Sequence, residues 1–150
     1  MSMMNEFPQL QAAQQLGRTY RSLMAAFDQQ LGMPLPRWRI LIGLYQENGC
    51  LSQKQLVRLL RIDPAAVTRQ LKSIETLGLI ERFTDEQDNR LTNVRLSQAG
   101  RELVEATLPR RRRLVEAMLQ DFSDQDLNQL ITLLSNWESA LLKAGDKDLL

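Results

Sequence analysis

Apolar residues recur every three or four positions from about Pro8 to Leu31, at Leu10, Ala13, Leu16, Tyr20, Leu23, Phe27 and Leu31, and Gly32 closes the run. That spacing predicts an amphipathic helix. A second segment, from about Pro36 to Gln46, holds Trp38, Ile40, Leu41, Ile42, Leu44 and Tyr45. It is apolar on nearly every side, which predicts a helix inside the core, stopped by Asn48 and Gly49. Ser52 precedes Gln55 by three positions, the spacing of a capping box, so a third helix starts there with Leu56, Val57, Leu59 and Leu60 as its buried side. Asp63-Pro64 is a second helix start: the carboxylate accepts from free N–H groups, and proline at the first helical position loses no hydrogen bond. The fourth helix runs to Gly78.

Beyond Gly78 the period changes. Leu79 to Phe83 and Leu91 to Leu96 read as two strands of a β-hairpin, separated by the polar loop from Thr84 to Arg90. Ser97 caps a fifth helix reaching about Gln120, bent by Pro109, which removes an N–H and crowds the preceding turn. Ser123 with Asp126 opens a sixth, in which Leu127, Leu130, Leu134, Trp137 and Leu141 form a heptad-like seam.

Composition narrows the chemistry. The 150 residues are 43% hydrophobic and 25% charged, as in one ordinary domain. Without histidine and with only Cys50 as cysteine, there is no Cys/His zinc cluster, no histidine base and no intramolecular disulfide. No phosphate-binding glycine motif is present either, so the chain is not expected to be an enzyme or to need a cofactor or metal. Neither a signal peptide nor a long apolar stretch appears, which predicts a cytoplasmic protein without a membrane partner. Cys50 is expected to be an ordinary turn residue rather than a redox sensor.

Net charge is only +1, but its distribution is uneven. Between Ser52 and Lys72, the bases Lys54, Arg58, Arg61, Arg69 and Lys72 face Asp63 alone, whereas acids dominate after Asp121. The middle of the chain therefore suits a polyanion.

Two short helices followed by a hairpin make a winged helix-turn-helix, whose second helix enters the DNA major groove. Val67, Leu71 and Ile74 are expected to pack inward, leaving Ala65, Thr68, Arg69 and Lys72 on the opposite face. Arg69 has the fork that reads guanine O6 and N7, and Lys72, a turn further on, suits phosphate. Arg90 at the hairpin tip suits a narrow minor groove, with Asp88 holding it. The competing reading of each residue is a solvated surface charge. The rival for the whole chain is a winged-helix module that docks a protein and never reads DNA sequence.

Leu77-Gly78-Leu79-Ile80-Glu81-Arg82, Asp85, Asp88-Asn89-Arg90 and Leu96-Ser97-Gln98-Ala99-Gly100 resemble the wing signature of the MarR family of bacterial transcription regulators. Trp38-Arg39-Ile40-Leu41 and Ser52-Gln53-Lys54-Gln55-Leu56 are similar to that family's second-helix and third-helix starts. The resemblance implies a mainly α fold with a small β-hairpin wing, in which a winged helix-turn-helix over 36–100 joins dimerisation helices over 8–32 and 101–144; the last residues, 145–150, are expected to form a flexible tail. It further implies a homodimer on a pseudo-palindromic site in double-stranded DNA; because a dimer seated across a promoter blocks polymerase without needing further contacts, a repressor is expected rather than an activator. Ala65, Ala66, Thr68 and Arg69 would read the groove, Ser52 and Gln53 would meet phosphates, and Arg90 would be the wing arginine.

Asn89 stands where the family often has a second arginine, Glu86 where it often has proline, and Ala65 and Ala66 where serines are frequent, which suggests apolar contact with a thymine methyl beside Arg69. Members commonly bind small aromatic or anionic effectors, for which Arg18, Arg21, Trp38 and Tyr45 are the candidates here. The run Arg110-Arg111-Arg112-Arg113 points in all directions around a helix and reads as solvated surface with dimer salt bridges rather than a second DNA patch.

Overall fold

The computed structural model describes residues 7–145. The order is α1 (Pro8–Leu31), α2 (Leu35–Gln46), β1 (Cys50–Ser52), α3 (Gln53–Leu60), α4 (Pro64–Thr76), β2 (Ile80–Thr84), β3 (Thr92–Leu96), α5 (Gln98–Met118) and α6 (Asp124–Gly145). Of the tail expected over 145–150, only Gly145 is described, and it ends α6; the rest lies outside the described residues. The chain divides into two compact units, Met1–Arg111 and Arg112–Leu150, with the division falling inside α5.

The first unit holds the core. Trp38, Ile40, Leu41 and Leu44 of α2 pack with Leu56 of α3, Val67, Leu71 and Ile74 of α4, Val94 of β3 and Val104 of α5, all essentially without solvent contact. Phe27 and Leu31 bring in only the last turns of α1; further back, Leu10, Leu16 and Tyr20 are exposed. Leu59 and Val57 correct their expected place in the buried side of α3: Leu59 is 48% exposed and Val57 only half-buried, because Leu56 and Leu60 occupy the inward face of this two-turn helix.

The helix starts follow local chemistry. Gln55 N donates to Ser52 Oγ at 3.0 Å while Ser52 N donates to Gln55 Oε1 at 2.8 Å, completing the capping box of α3. Asp63 Oδ2 accepts from Ala66 N at 3.1 Å and starts α4. Ser123 and Asp126 form the same reciprocal pair at the head of α6. Pro109 lies inside α5, which continues past it as helix.

The hairpin gains a third strand absent from the sequence reading. The antiparallel order is β1-β3-β2, with Cys50 opposite Arg95 and Ile80 opposite Leu96. Cys50 is thus an exposed strand residue rather than a turn residue. Three residues cannot display a period of two, and their pairing depends on β3 lying alongside. Both hairpin strands start one residue later than expected: Leu79 N donates back to the Ile74 carbonyl of α4 at 3.2 Å, and Leu91 closes the loop by accepting from Asp85 N and donating to Asp88 O, each at 3.0 Å.

Ser97 ties the wing to α5. Its hydroxyl donates to the carbonyl of Gly78 at 2.6 Å and accepts from Gly100 N at 3.0 Å. Gly78 has φ +74, a conformation that side chains disfavour. Within the arginine run, Arg110 makes a specific long-range contact, its Nη2 donating at 2.6 Å to the carbonyl of Gln30 in the last turn of α1. Arg112 pairs within its own helix with Glu116 at 2.9 Å.

Gly100 is buried, and a Cβ there would run into the Leu79 carbonyl. Gly100→Ala is therefore expected to destabilise the fold by about 1 to 3 kcal/mol, the usual cost of overpacking, measured by urea unfolding; an unchanged midpoint would show that the wing shifts freely against α5.

Candidate nucleic-acid interface

Burial sets the rotation of α4. With Val67, Leu71 and Ile74 turned into the core, helical geometry leaves Ala65, Thr68, Arg69 and Lys72 exposed on the other side. Arg69 and Lys72 have no ion pair among the described residues. Thr68 is held on two sides: its Oγ1 donates to the Pro64 carbonyl at 3.0 Å and accepts from Gln53 Nε2 at 2.7 Å. The first residue of α3 is thereby fastened to the second turn of α4.

The wing tip is shaped by two carboxylates. Asp85 Oδ1 accepts from the backbone N–H groups of Gln87 and Asp88, both at 2.9 Å, and its Oδ2 accepts from Asn93 Nδ2 at 2.8 Å. Asp88 Oδ1 accepts from Arg90 N and Nε, both at 3.1 Å. Arg90 is held at its base while its side chain stays 90% exposed. Lower down, Arg82 Nη2 meets Glu75 Oε1 at 2.9 Å and joins β2 to α4. Arg95 Nε meets Glu81 Oε2 at 2.7 Å, with its guanidinium 4.9 Å from the centre of the Phe83 ring.

Between the α3–α4 corner and the wing lies a groove of about 780 Å³, lined by Gln53, Lys54, Arg58, Pro64, Asp88 and Arg90 among others. Its only acid, Asp88, is already engaged by Arg90, so Lys54 and Arg58 leave the groove cationic. Gln53, Asp88 and Arg90 are expected here from the sequence, whereas Lys54 and Arg58 count there only toward a charge excess, because nothing local shows which way they face.

The other candidates fall in different places. Ser52 heads α3 with its Oγ accepting in the capping box. Ala65 is exposed, but Ala66 is half-buried and lines a second cavity of about 190 Å³ with Tyr20, Pro36, Arg39, Ile40 and Gln70. The four effector candidates have separate surroundings. Trp38 is 1% exposed and belongs to the core. Tyr45 lies under the Arg101 guanidinium, 5.6 Å from its ring centre, and donates through its hydroxyl to Glu105 at 3.4 Å. Arg18 donates to Gln15 at 3.1 Å, and Arg21 is exposed on α1. Tyr20, Arg39 and Gln70 come together from three different helices, which no spacing along the chain reveals. Among the described residues no cluster of acids or cysteine suits a metal ion, and no helix is long and apolar enough to cross a membrane.

Comparison with known proteins gives a consistent picture. A sequence profile described as MarR family matches residues 31–91. The uncharacterized HTH-type transcriptional regulator YdgJ of Bacillus subtilis is 36% identical over 109 residues, covering 73% of this chain and 66% of that protein. The chain thus spans just under two thirds of that relative's length. A probable transcriptional regulator from Pseudomonas aeruginosa superposes with a TM-score of 0.75 at 31% identity, covering 81% of this chain and 92% of its own. A mutant MarR from E. coli complexed with operator DNA shares the fold at a TM-score of 0.78 and 18% identity, over 91% of this chain and 98% of its own.

Asparagine and backbone donors hold the Asp85 carboxyl below the usual carboxylate range, with the Asn93 amide first, and the Arg90 side chain does the same for Asp88. Carboxyls that resist protonation in the folded wing stabilise it at neutral pH, and that contribution disappears as pH falls through their lowered values. Asp85→Asn is expected to melt below the wild type at pH 7, with the gap narrowing below about pH 4, where free aspartate protonates. A gap constant with pH would mean that Asp85 acts through shape alone.

Proposed function

This chain belongs to the MarR family of transcriptional regulators, and on that premise we propose that it binds operator DNA as a homodimer, with α4 in the major groove and Arg90 of the wing in the minor groove. The observation that carries this reading is the Gln53–Thr68 hydrogen bond beside an unpaired Arg69: a preorganised polar face on a helix whose other side is locked in the core. Arg69 offers its fork to guanine, Ala65 leaves room for a thymine methyl, and Lys54, Arg58 and Lys72 meet phosphates. Ser52 and Gln53 stand at the edge of the same face. The E. coli MarR complexed with operator DNA supports this use of the fold.

The second copy is supported by α6. No residue of that helix is buried, and Leu130, Ile131, Leu133, Leu134, Leu141 and Leu142 are all exposed. An apolar face this long on one helix is far more than a soluble monomer leaves uncovered. Two-fold pairing sets two recognition helices about one DNA turn apart, roughly 34 to 36 Å. A dimer seated there blocks a promoter, which makes repression the natural output. The cavity beside Ala66 suits a small aromatic acid, with the Tyr20 ring and Arg39 guanidinium as partners, lying behind the first turn of α4. The cavity, rather than the scattered Arg18, Arg21, Trp38 and Tyr45, is our effector site.

Selection of genomic fragments by the purified protein at ~150 mM salt, where charge contacts are screened, is expected to enrich a two-fold-symmetric motif. Uniform recovery of all fragments would favour the protein-docking module instead. On the enriched site, Arg69→Ala is expected to cost roughly 1 to 3 kcal/mol and much less on random duplex; equal losses would make Arg69 a phosphate contact. Leu134→Glu is expected to halve the mass seen by sedimentation, and an unchanged mass would remove α6 from the interface.

A further inference from the structure

An α-helix with its side chains is about 10 to 12 Å across, and the B-DNA major groove is about 12 Å wide. A helix lying in that groove therefore has a phosphate backbone within reach on each flank. One flank of α4 faces α3 and the wing, with Lys54, Arg58 and Arg90. The other flank meets α2, where Arg37, Lys72, Ser73, Thr76 and Leu77 line an open depression of about 360 Å³.

The two cationic donors here are unused among the described residues. Arg37 Nε is cut off from solvent and has no acceptor. The Arg37 side chain has no ion pair among the described residues, and no acid lines the depression. A polar group left without a partner costs free energy, so the Arg37 guanidinium gains from an acceptor placed at the depression. Lys72 follows Arg69 by three positions and is exposed, which joins the depression to the reading face. The Thr76 hydroxyl already donates to the Lys72 carbonyl at 2.9 Å, leaving Arg37, Lys72 and Ser73 as donors.

We propose that Arg37, with Lys72 and Ser73, binds a DNA phosphate on the strand opposite the one met by α3 and the wing. Guanidinium, ammonium and hydroxyl all donate to phosphodiester oxygens, and two cationic flanks fix the tilt of α4 in the groove as one flank alone does not. The inference rests on the DNA reading above. A small free anion uses the same chemistry, and the test separates the two.

Binding of the whole protein to its enriched site and to random duplex is measured from ~50 to ~200 mM salt, a range over which counterion release is large. Arg112→Gln serves as the charge control, since Arg112 lines neither groove. Arg37→Ala is expected to lower the slope of log K against log salt by about 0.9 for each Arg37 engaged, nearly two for a symmetric dimer, and equally on both duplexes. Arg37→Lys restores most of the slope, and Arg112→Gln leaves it unchanged. If Arg37→Ala melts early, Arg37→Gln and Lys72→Ala provide the same readout. A wild-type slope in a folded Arg37 variant overturns the site while leaving the DNA reading intact. Wild-type protein that binds no duplex overturns the DNA reading itself. Calorimetric binding of inorganic phosphate that Arg37→Ala abolishes, alongside an unchanged DNA slope, assigns the depression to a free anion and also overturns the proposal.

Discussion

Val67, Leu71 and Ile74 leave no surface to solvent, and their burial fixes the rotation of α4 about its own axis. Turning the helix by one residue, 100° at 3.6 residues per turn, would expose one of these side chains and bring Arg69 or Lys72 toward the core. Each fully buried aliphatic side chain contributes roughly 1.5 to 3 kcal/mol, and burying an unpaired cation costs more than that, so no other rotation competes. The chemistry of the outward face follows from the packing of the inward one.

Around that helix, smaller polar contacts hold the elements that share its surface. Gln53 fastens α3 to Thr68, Glu75 fastens β2 through Arg82, and Ser97 bridges the end of the α4 segment to α5. These bonds are exposed or half-exposed, and individually they add little to stability. Their effect is geometric: they hold α3, the hairpin and α5 in one arrangement around α4. Asp85 and Asp88 extend the same principle to the loop tip, replacing an apolar core that seven polar residues cannot supply. Arg90 is thus steadied by Asp88 through its backbone N–H and its guanidinium, while its side chain stays exposed at the tip.

The structure also separates two uses of apolar residues. In α2 and α4 they vanish into the core; in the first half of α1 and along α6 they stay on the surface. Leu59 shows how short the distance between the two can be, since it neighbours buried Leu60 and is nonetheless exposed. Of the arginine run, Arg110 alone reaches far along the chain, to the Gln30 carbonyl, which periodicity cannot reveal.

Periodicity, caps and turn residues located every helix to within a few residues, because those signals are local: a hydroxyl three positions before an amide, a proline at a helix start, a glycine where the backbone turns. The inward face of α4 and the pairing of Asp88 with Arg90 were legible for the same reason, each lying within a few residues of its partners. What depends on elements meeting in space was not. The pairing of Cys50 with Arg95, the bond from Gln53 to Thr68, the cavity that gathers Tyr20, Arg39 and Ala66, and the depression between Arg37 and Lys72 all join residues from different elements. No spacing along the chain encodes them; they arise from the angles at which packed helices cross, and those angles are decided only when the whole core closes.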